Sequence, residues 1–466
     1  MRMPPPPPDD DQLFASLLDS GRYGVLMPLA RDLPDDYSPW RKARFRTPPG
    51  PLAARFASNL SRLKTADDTT AAPLTVEEWW FALHQKRLTE SRQIPDLKAT
   101  DGQPLRFSLT DAVLREVDYV TAQLSGQIGF AANVTSAPDR ERYLKTALEE
   151  EAITSSQLEG AATTRKAAKQ LLRSARRPRD RSEQMIVNNY NALQRVRELR
   201  DSPLSPDLVR ELHTIVTAAT LDNEADAGRL QSSTEERVCV QAMPDGEIVH
   251  RPPPADELPG RLEQLCRFAN ALDSGPYMPG VLRALTVHFM VSHDHYFVDG
   301  NGRTARALFY WSMLHQGYWL SEYLTVSTIL RQAPAKYMRS FLDTEQDSGD
   351  LTYFFMYHLG VIRRAIDGLR GYITRTIAAQ RSVRQRLDSA RGEFNHRQFA
   401  VLTDALEDSA REFSARELAS RFAVSDETGR HDLVDLEHRA LLQRRRVGHR
   451  FVWTPVPDLA QLLLSD

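Results

Sequence analysis

Cysteine is nearly absent, with Cys239 and Cys266 the only two in 466 residues. Two thiols cannot build a disulfide framework, so they read as small hydrophobes in a reducing compartment. No apolar run approaches the length of a membrane-crossing helix. Neither sign of charge dominates, since 60 basic residues face 62 acidic ones for a net charge of −2. That balance gives no global signal for nucleic acid or for acidic substrates. The amino terminus, MRMPPPPPDDD, is polyproline and acid rather than a secretory signal. The expectation is a cytoplasmic protein without membrane contact. No G-x-x-x-x-G-K-[ST] occurs, which excludes a P-loop.

A hydrophobic fraction of 41% supports a packed core. The length calls for two or three domains. Residues 1–74 divide into a solvated tail up to about residue 20 and an irregular, Pro/Asp/Arg-rich segment, either loops packed on a neighbour or a small appendage. Residues 75–139 read as helical. Thr75 with Glu78 three positions on is a capping-box pattern, and Leu109, Val113, Val117 and Val120 share one helical face. Residues 140–375 continue as helices, with Gly317 placed to end one of them. They are interrupted at 238–250, where Val238, Val240, Asp245-Gly246 and Ile248-Val249 give a short β-hairpin. Residues 376–392 form a charged helical linker, and 393–466 a separate module. The fold class is mainly α.

One stretch stands apart: SHDHYFVDGNGRTARALFYW, Ser292 to Trp311. His293-Asp294-His295 has the composition of a two-histidine, one-carboxylate metal site, although such sites usually lie on strands and this neighbourhood is helical. A charged loop without function leaves two glycines at a helix start unexplained. A phosphate site explains them. Gly300 and Gly302 let the backbone approach an anion, and Arg303 and Arg306 begin a helix whose positive end already favours one. Guanidinium forks suit phosphate oxygens. Asp299 supplies the single carboxylate that a phosphate-bound Mg²⁺ requires. His295 is a general base suited to neutral pH.

HYFVDGNGRTAR closely resembles the signature of the Fic family, His-Pro-Phe-x-Asp/Glu-Gly-Asn-Gly-Arg-x-x-Arg. It departs from that pattern at Tyr296, usually proline, and at Asp294, where a hydrophobic residue is common. The resemblance implies a Fic-type helical bundle over 140–375 and transfer of AMP from ATP to a protein hydroxyl. It implies His295 as base, Asp299 on Mg²⁺, and Asn301 with the Gly300 and Gly302 amides cradling phosphate. Arg303 would face the β side, Arg306 the γ-phosphate, and Phe297 would anchor the loop. TSSQLEG, Thr154 to Gly160, resembles the family's inhibitory pattern through Ser155, Glu159 and Gly160. Bidentate pairing of Glu159 with Arg306 would remove the γ-phosphate clamp, which implies an autoinhibited enzyme with an N-terminal inhibitor. The 238–250 hairpin would be the flap that docks an extended target segment. The protein itself is a further target, AMP removal a variant of the same chemistry, and a homodimer is left open.

The C-terminal module resembles a winged helix-turn-helix, with Ser414 and Ser425 capping helices and QRRRVGHRFVW as the wing. Residues 394–454 contain ten arginines, no lysine, and ten Asp plus Glu. The second helix reads as acidic at Asp426, Glu427, Asp432, Asp435 and Glu437, which repels phosphate, whereas the wing is basic. DNA and a protein partner both remain open for it. A non-enzymatic, nucleotide-responsive regulator is the alternative to the enzyme, and a pure binder has no need of His295.

Overall fold

The computed structural model describes residues 3–62, 72–125, 137–174, 176–242, 246–273, 275–389, 393–407, 411–447, 450–457 and 459–463. The chain divides into two compact units, 1–129 with 142–366 and 130–141 with 367–466.

The start of the chain differs from the solvated tail and irregular segment expected of it. The Asp9 side chain accepts from Gln12 N at 3.0 Å and caps helix α1 (Asp10–Asp19). Then follow α2 (Tyr23–Ala30), α3 (Trp40–Ala43) and α4 (Gly50–Leu60). Leu17, Leu26, Leu29, Phe56 and Leu60 are buried together with Trp79 and Phe81 from α5 (Val76–Glu90). The helices are too short to show a long periodic stripe. Their prolines sit at or beside helix starts, or within α2 at Pro28, and punctuate the helices rather than exclude them. The capping box at Thr75 and Glu78 is present.

A two-stranded hairpin, β1 (Arg92–Lys98) and β2 (Pro104–Phe107), was not legible in the sequence. Pro95 within β1 hides it, because proline is confined to strand edges. Helix α6 (Asp111–Leu124) buries Val113, Val117 and Val120 as expected, while Leu109 lies just before it. The long helical block after residue 137 is two helices, α7 (Ala137–Leu158) and α8 (Arg165–Ser174). Next come α9 (Arg181–Glu198) and α10 (Pro206–Thr217), then the hairpin of β3 (Val240–Ala242) and β4 (Glu247–His250). Of its expected turn, Asp245 lies outside the described residues and Gly246 has φ +68°.

Helices α11 (Leu258–Ala269), α12 (Gly280–Asp294) and α13 (Asn301–His315) follow. The last two are buried almost throughout, their polar side chains included, so they form the centre of the unit. Gly317, with φ +86°, follows the end of α13. Then come α14 (Val326–Gln332), α15 (Pro334–Glu345) and α16 (Thr352–Ser389), the last of which runs from the first unit into the second. Among the described residues no helix is long and apolar enough to cross a membrane.

The second unit contains α17 (His396–Glu407), α18 (Ala415–Phe422), α19 (Asp426–His438), the antiparallel pair β5 (Leu442–Val447) and β6 (Arg450–Pro455), and α20 (Leu459–Leu462). Phe394, Leu402, Phe413, Leu433, Leu436 and Trp453 form its core. Ser414 and Ser425 are N-caps. A Cβ at Gly429 would lie 2.6 Å from the Ala415 carbonyl, so only glycine lets α18 and α19 cross this closely. Three of the five acids of α19 are engaged by this unit's own groups. Asp432 is buried against Arg397 at 2.6 Å, Asp435 accepts from Gln398 at 2.8 Å, and Glu437 accepts from Trp453 Nε1 at 2.8 Å. The acidity read along the helix is therefore largely consumed in holding the module together.

In the first unit the buried Arg22 meets Glu78 through two parallel bonds of 2.6 and 2.8 Å, and Glu78 also closes the capping box. Removing one partner of a buried pair strands the other charge. Arg22→Ala is expected to cost on the order of 3 kcal/mol, read as a lower urea midpoint for this unit. A midpoint equal to wild type would contradict the account.

Candidate functional site

Helix α12 is stopped at His295, which adopts left-handed backbone angles of φ 49° and ψ 57°. A non-glycine residue in this region is uncommon and is held there by its surroundings. The loop then runs to Gly300, also left-handed at φ 80°, and α13 begins. Gly300 is required twice over: a Cβ there would meet Thr217 Cγ2 at 2.6 Å.

The loop holds its shape through its carbonyls. Arg237 donates to the carbonyls of Asp294 and, at 2.9 Å, His295. The Tyr296 carbonyl accepts from Gln231 N at 2.9 Å. Asn301 brackets Phe297, its Oδ1 accepting from Phe297 N at 3.0 Å and its Nδ2 donating to Phe297 O at 2.7 Å. His213 donates from Nε2 to the Asp299 carbonyl at 2.8 Å, because its Nδ1 is already an acceptor from Gly228 N at 2.9 Å. The His213 ring also stacks on Phe297 at 3.7 Å. Asn301, expected at the phosphate, is thus committed to the loop, and Phe297 is the fully buried anchor expected of it.

The two departures from the motif are partners. The buried Tyr296 hydroxyl donates to Asp294 Oδ2 at 2.8 Å, and Asp294 Oδ1 meets Arg261 at 2.8 Å. These contacts turn Asp294 away from His295, whose Nδ1 lies 3.1 Å from the Ser292 carbonyl. The His293-Asp294-His295 triad is therefore split by the structure. With the proton on Nδ1, the Nε2 lone pair of His295 is left open. Burial pushes the imidazole pKa down to about 4, so it is neutral at pH 7.

At the start of α13 the charges converge. Asp299 is half-exposed, with Oδ1 accepting from Gly300 N at 2.6 Å and Oδ2 lying 3.3 Å from Arg181. Arg303 is 1% exposed, donates to the Val216 carbonyl at 3.0 Å, and its Nε has no partner among the described residues. Arg306 is buried against the end of α7. Its Nε donates to Ser155 Oγ at 2.8 Å, and its Nη2 donates to Ser155 O at 3.0 Å and Glu159 Oε1 at 2.9 Å. Burial opposes its charge, yet Glu159 holds its pKa raised. The expected bidentate pairing is thus replaced by one bond from Glu159 and two from Ser155. Ser155 and Glu159 are four positions apart and stack on one face, so the fork takes acceptors from both. The Glu159 carboxylate also lies over Gly302, where a Cβ would be 2.3 Å from its Oε1. Gly160, at φ +92°, ends the α7 turn.

His213, Gln231, Arg237, Arg261 and Arg181 were not singled out in the sequence. They are scattered over about eighty positions and share no spacing that marks them.

Residues 203–313 match the Fic/DOC family model. Members of this family typically transfer a nucleoside monophosphate to proteins. The Fic/DOC stretch takes in α10, the β3–β4 hairpin, α11, α12 and most of α13, whereas Ser155, Glu159 and Gly160 lie outside it. The chain is also similar to a Fic family protein from Desulfovibrio desulfuricans G20, at 18% identity over 75% of this chain and 97% of that one, with a TM-score of 0.48. It is similar to Fic-1 from C. elegans at 19% identity, 56% and 70% coverage and a TM-score of 0.43. A Fic domain containing signaling protein from Bacteroides thetaiotaomicron VPI-5482 gives 18%, 55%, 97% and 0.40. No curated protein matches the sequence.

Burial lowers the pKa of His213 to about 4 and that of His288 to about 3. With folded-state values below the ordinary 6.5, the unfolded chain takes up these protons first. Their stabilisation is present above pH 6.5 and is lost as the pH falls toward 4 and below. The melting temperature is expected to drop across pH 6.5 to 4, and His213→Gln to make that drop shallower. An unchanged slope in the variant would count against a neutral, buried His213.

Proposed function

We propose that this chain is an autoinhibited protein adenylyltransferase that moves AMP from ATP to a Tyr, Ser or Thr hydroxyl. The observation that carries the proposal is the Glu159 carboxylate resting on Gly302 and Arg306 at the start of α13. A helix N-terminus with free amides and two buried guanidiniums is an anion site, and here a carboxylate of the chain takes that place. Arg303, with an unpartnered Nε, has capacity for a further acceptor.

With Glu159 withdrawn, the γ-phosphate takes the Arg306 fork and the preceding phosphates lie along the Gly300–Arg303 backbone. Asp299 suits Mg²⁺: it is a half-exposed carboxylate whose partners, Gly300 N, Arg181 and, at 3.9 Å, Arg303, leave it oxygen lone pairs. Bound through Asp299 and the phosphates, that ion would neutralise charge on the leaving pyrophosphate. The target hydroxyl oxygen bonds to the α-phosphorus while its proton passes to His295 Nε2. The bond from the α-phosphorus to the bridging oxygen breaks, and pyrophosphate departs. The polyphosphate beside His295 raises its pKa from the low value of the resting site toward one suited to a base. The β3–β4 hairpin offers only a marginally stable two-stranded sheet with open edges, which an extended target segment can pair. The non-enzymatic alternative gives no role to a histidine with its Nε2 lone pair left open.

Incubation with labelled ATP and Mg²⁺ tests this reading. Glu159→Gly is expected to raise self-labelling at least about tenfold, the effect of freeing one charge-assisted clamp. His295→Ala is expected to abolish it. Equal labelling of Glu159→Gly and wild type would remove the brake.

A second reading concerns the other unit. Asp432, Asp435 and Glu437 are engaged internally, the exposed residues of α19 are Asp426 and Glu427 against Arg430, His431 and His438, and the strand pair exposes Arg444, Arg445, Arg446 and Arg450. That distribution favours DNA over a basic protein partner. Gel shifts are expected to show a complex at 50 mM salt that weakens steeply at 200 mM, and Arg446→Ala to flatten the salt slope. Binding indifferent to salt would favour a protein partner instead.

A further inference from the structure

Three ligand-type side chains meet at the foot of the β3–β4 hairpin, outside the site just described. They are His250 at the end of β4, His293 in the last turn of α12, and Glu345 at the end of α15. One donor atom from each lies within 4.8 Å of the other two. Both histidines are buried, and Glu345 reaches them from a partly exposed position.

The hydrogen bonds fix which lone pairs face the group. His293 Nδ1 lies 3.1 Å from Asp294 Oδ1, a carboxylate already held by Arg261 at 2.8 Å, so the proton is on Nδ1 and Nε2 keeps its lone pair. A carboxylate on the far nitrogen is the usual orienting partner of a metal-binding histidine. His250 Nε2 lies 2.7 Å from the His293 carbonyl, an acceptor, so that nitrogen carries a proton. This leaves His250 Nδ1 facing Glu345 Oε2 at 3.0 Å. Two lone pairs cannot face each other at that distance without a cation between them. A proton satisfies His250 and Glu345 but contributes nothing to His293, whose Nε2 has the Thr100 hydroxyl at a long 3.3 Å. A divalent metal satisfies all three.

We propose that His250, His293 and Glu345 form a divalent transition-metal site of the two-histidine, one-carboxylate kind, suited to Zn²⁺ or Fe²⁺. Two histidines with one glutamate and room for a water is an established Zn²⁺ set. This site is distinct from the Mg²⁺ position at Asp299, and its ligand set drops His295 and Asp294 from the triad suggested by the sequence. It joins β4, α15 and the end of α12 two residues before His295, so an ion there would fix the foot of the hairpin relative to the loop.

The test uses the full chain, stripped with chelator and titrated with Zn²⁺ against a chromogenic competitor, with Co²⁺ absorption in the visible as a second readout. The expected result is one tight equivalent in wild type, weakened by about a hundredfold or more in both His250→Asn and Glu345→Gln, and retained in Asp299→Ala. Far-UV circular dichroism shows whether a variant is folded, and the near-isosteric Glu345→Gln, at a partly exposed position, keeps the test valid if His250→Asn is not. No bound equivalent in wild type, unchanged affinity in folded Glu345→Gln, or loss in Asp299→Ala alone would overturn the assignment.

Discussion

The loop between α12 and α13 depends on the capture of its carbonyls. From Asp294 to Phe297, and again at Asp299 and Gly300, each backbone oxygen accepts from a group outside the loop's own backbone or from the first turn of α13. Buried backbone groups left unpaired are costly, so this set of bonds decides the path of the chain. With the carbonyls taken by Arg237, Gln231, Asn301, His213 and Thr304, the free amides of the α13 N-terminus become the polar groups that remain for a ligand. An anion site is what is left once the opposite polarity has been used up. His295 in its left-handed conformation and Gly300 against Thr217 are the two places where the chain bends to meet that demand.

Much of the site was legible because it is written in one contiguous stretch. His295, Asp299, Gly300, Gly302, Arg303 and Arg306 fall within a dozen positions, and a helix start converts their spacing directly into geometry. Ser155 and Glu159 were legible only through a pattern, and the structure sets both on Arg306, with one bond from Glu159 in place of the bidentate pairing that the pattern implies. That the Asn301 side chain brackets Phe297, four residues back, is a choice that spacing does not reveal. The positioning residues were illegible for a different reason. His213 and Arg237 look like any helix histidine or loop arginine until tertiary packing sets them on specific carbonyls.

The same contrast holds for the fold. Capped helices such as α5, α18 and α19 announce themselves through Thr75, Ser414 and Ser425, whose side chains satisfy otherwise unpaired amides. The first sixty residues misled because their apolar positions are sparse and their prolines frequent, although Leu17, Leu26 and Phe56 are each at most 1% exposed. Charge misled in the second unit. Counting acids along α19 treats a helix as a string, whereas Asp432 belongs to the core side and answers to Arg397.

The Tyr296–Asp294 bond ties two positions together energetically. Each residue alone is an oddity, a phenol where the loop motif has proline and a carboxylate where it favours an apolar group. Together, with Arg261 and His293, they make a buried network. Losing the carboxylate alone would strand a phenol in the interior and leave Arg261 with only the Lys98 carbonyl and Glu257, and losing the phenol alone would leave a cavity beside a charge. The positions are therefore coupled, and the effects of substituting them singly on stability do not add.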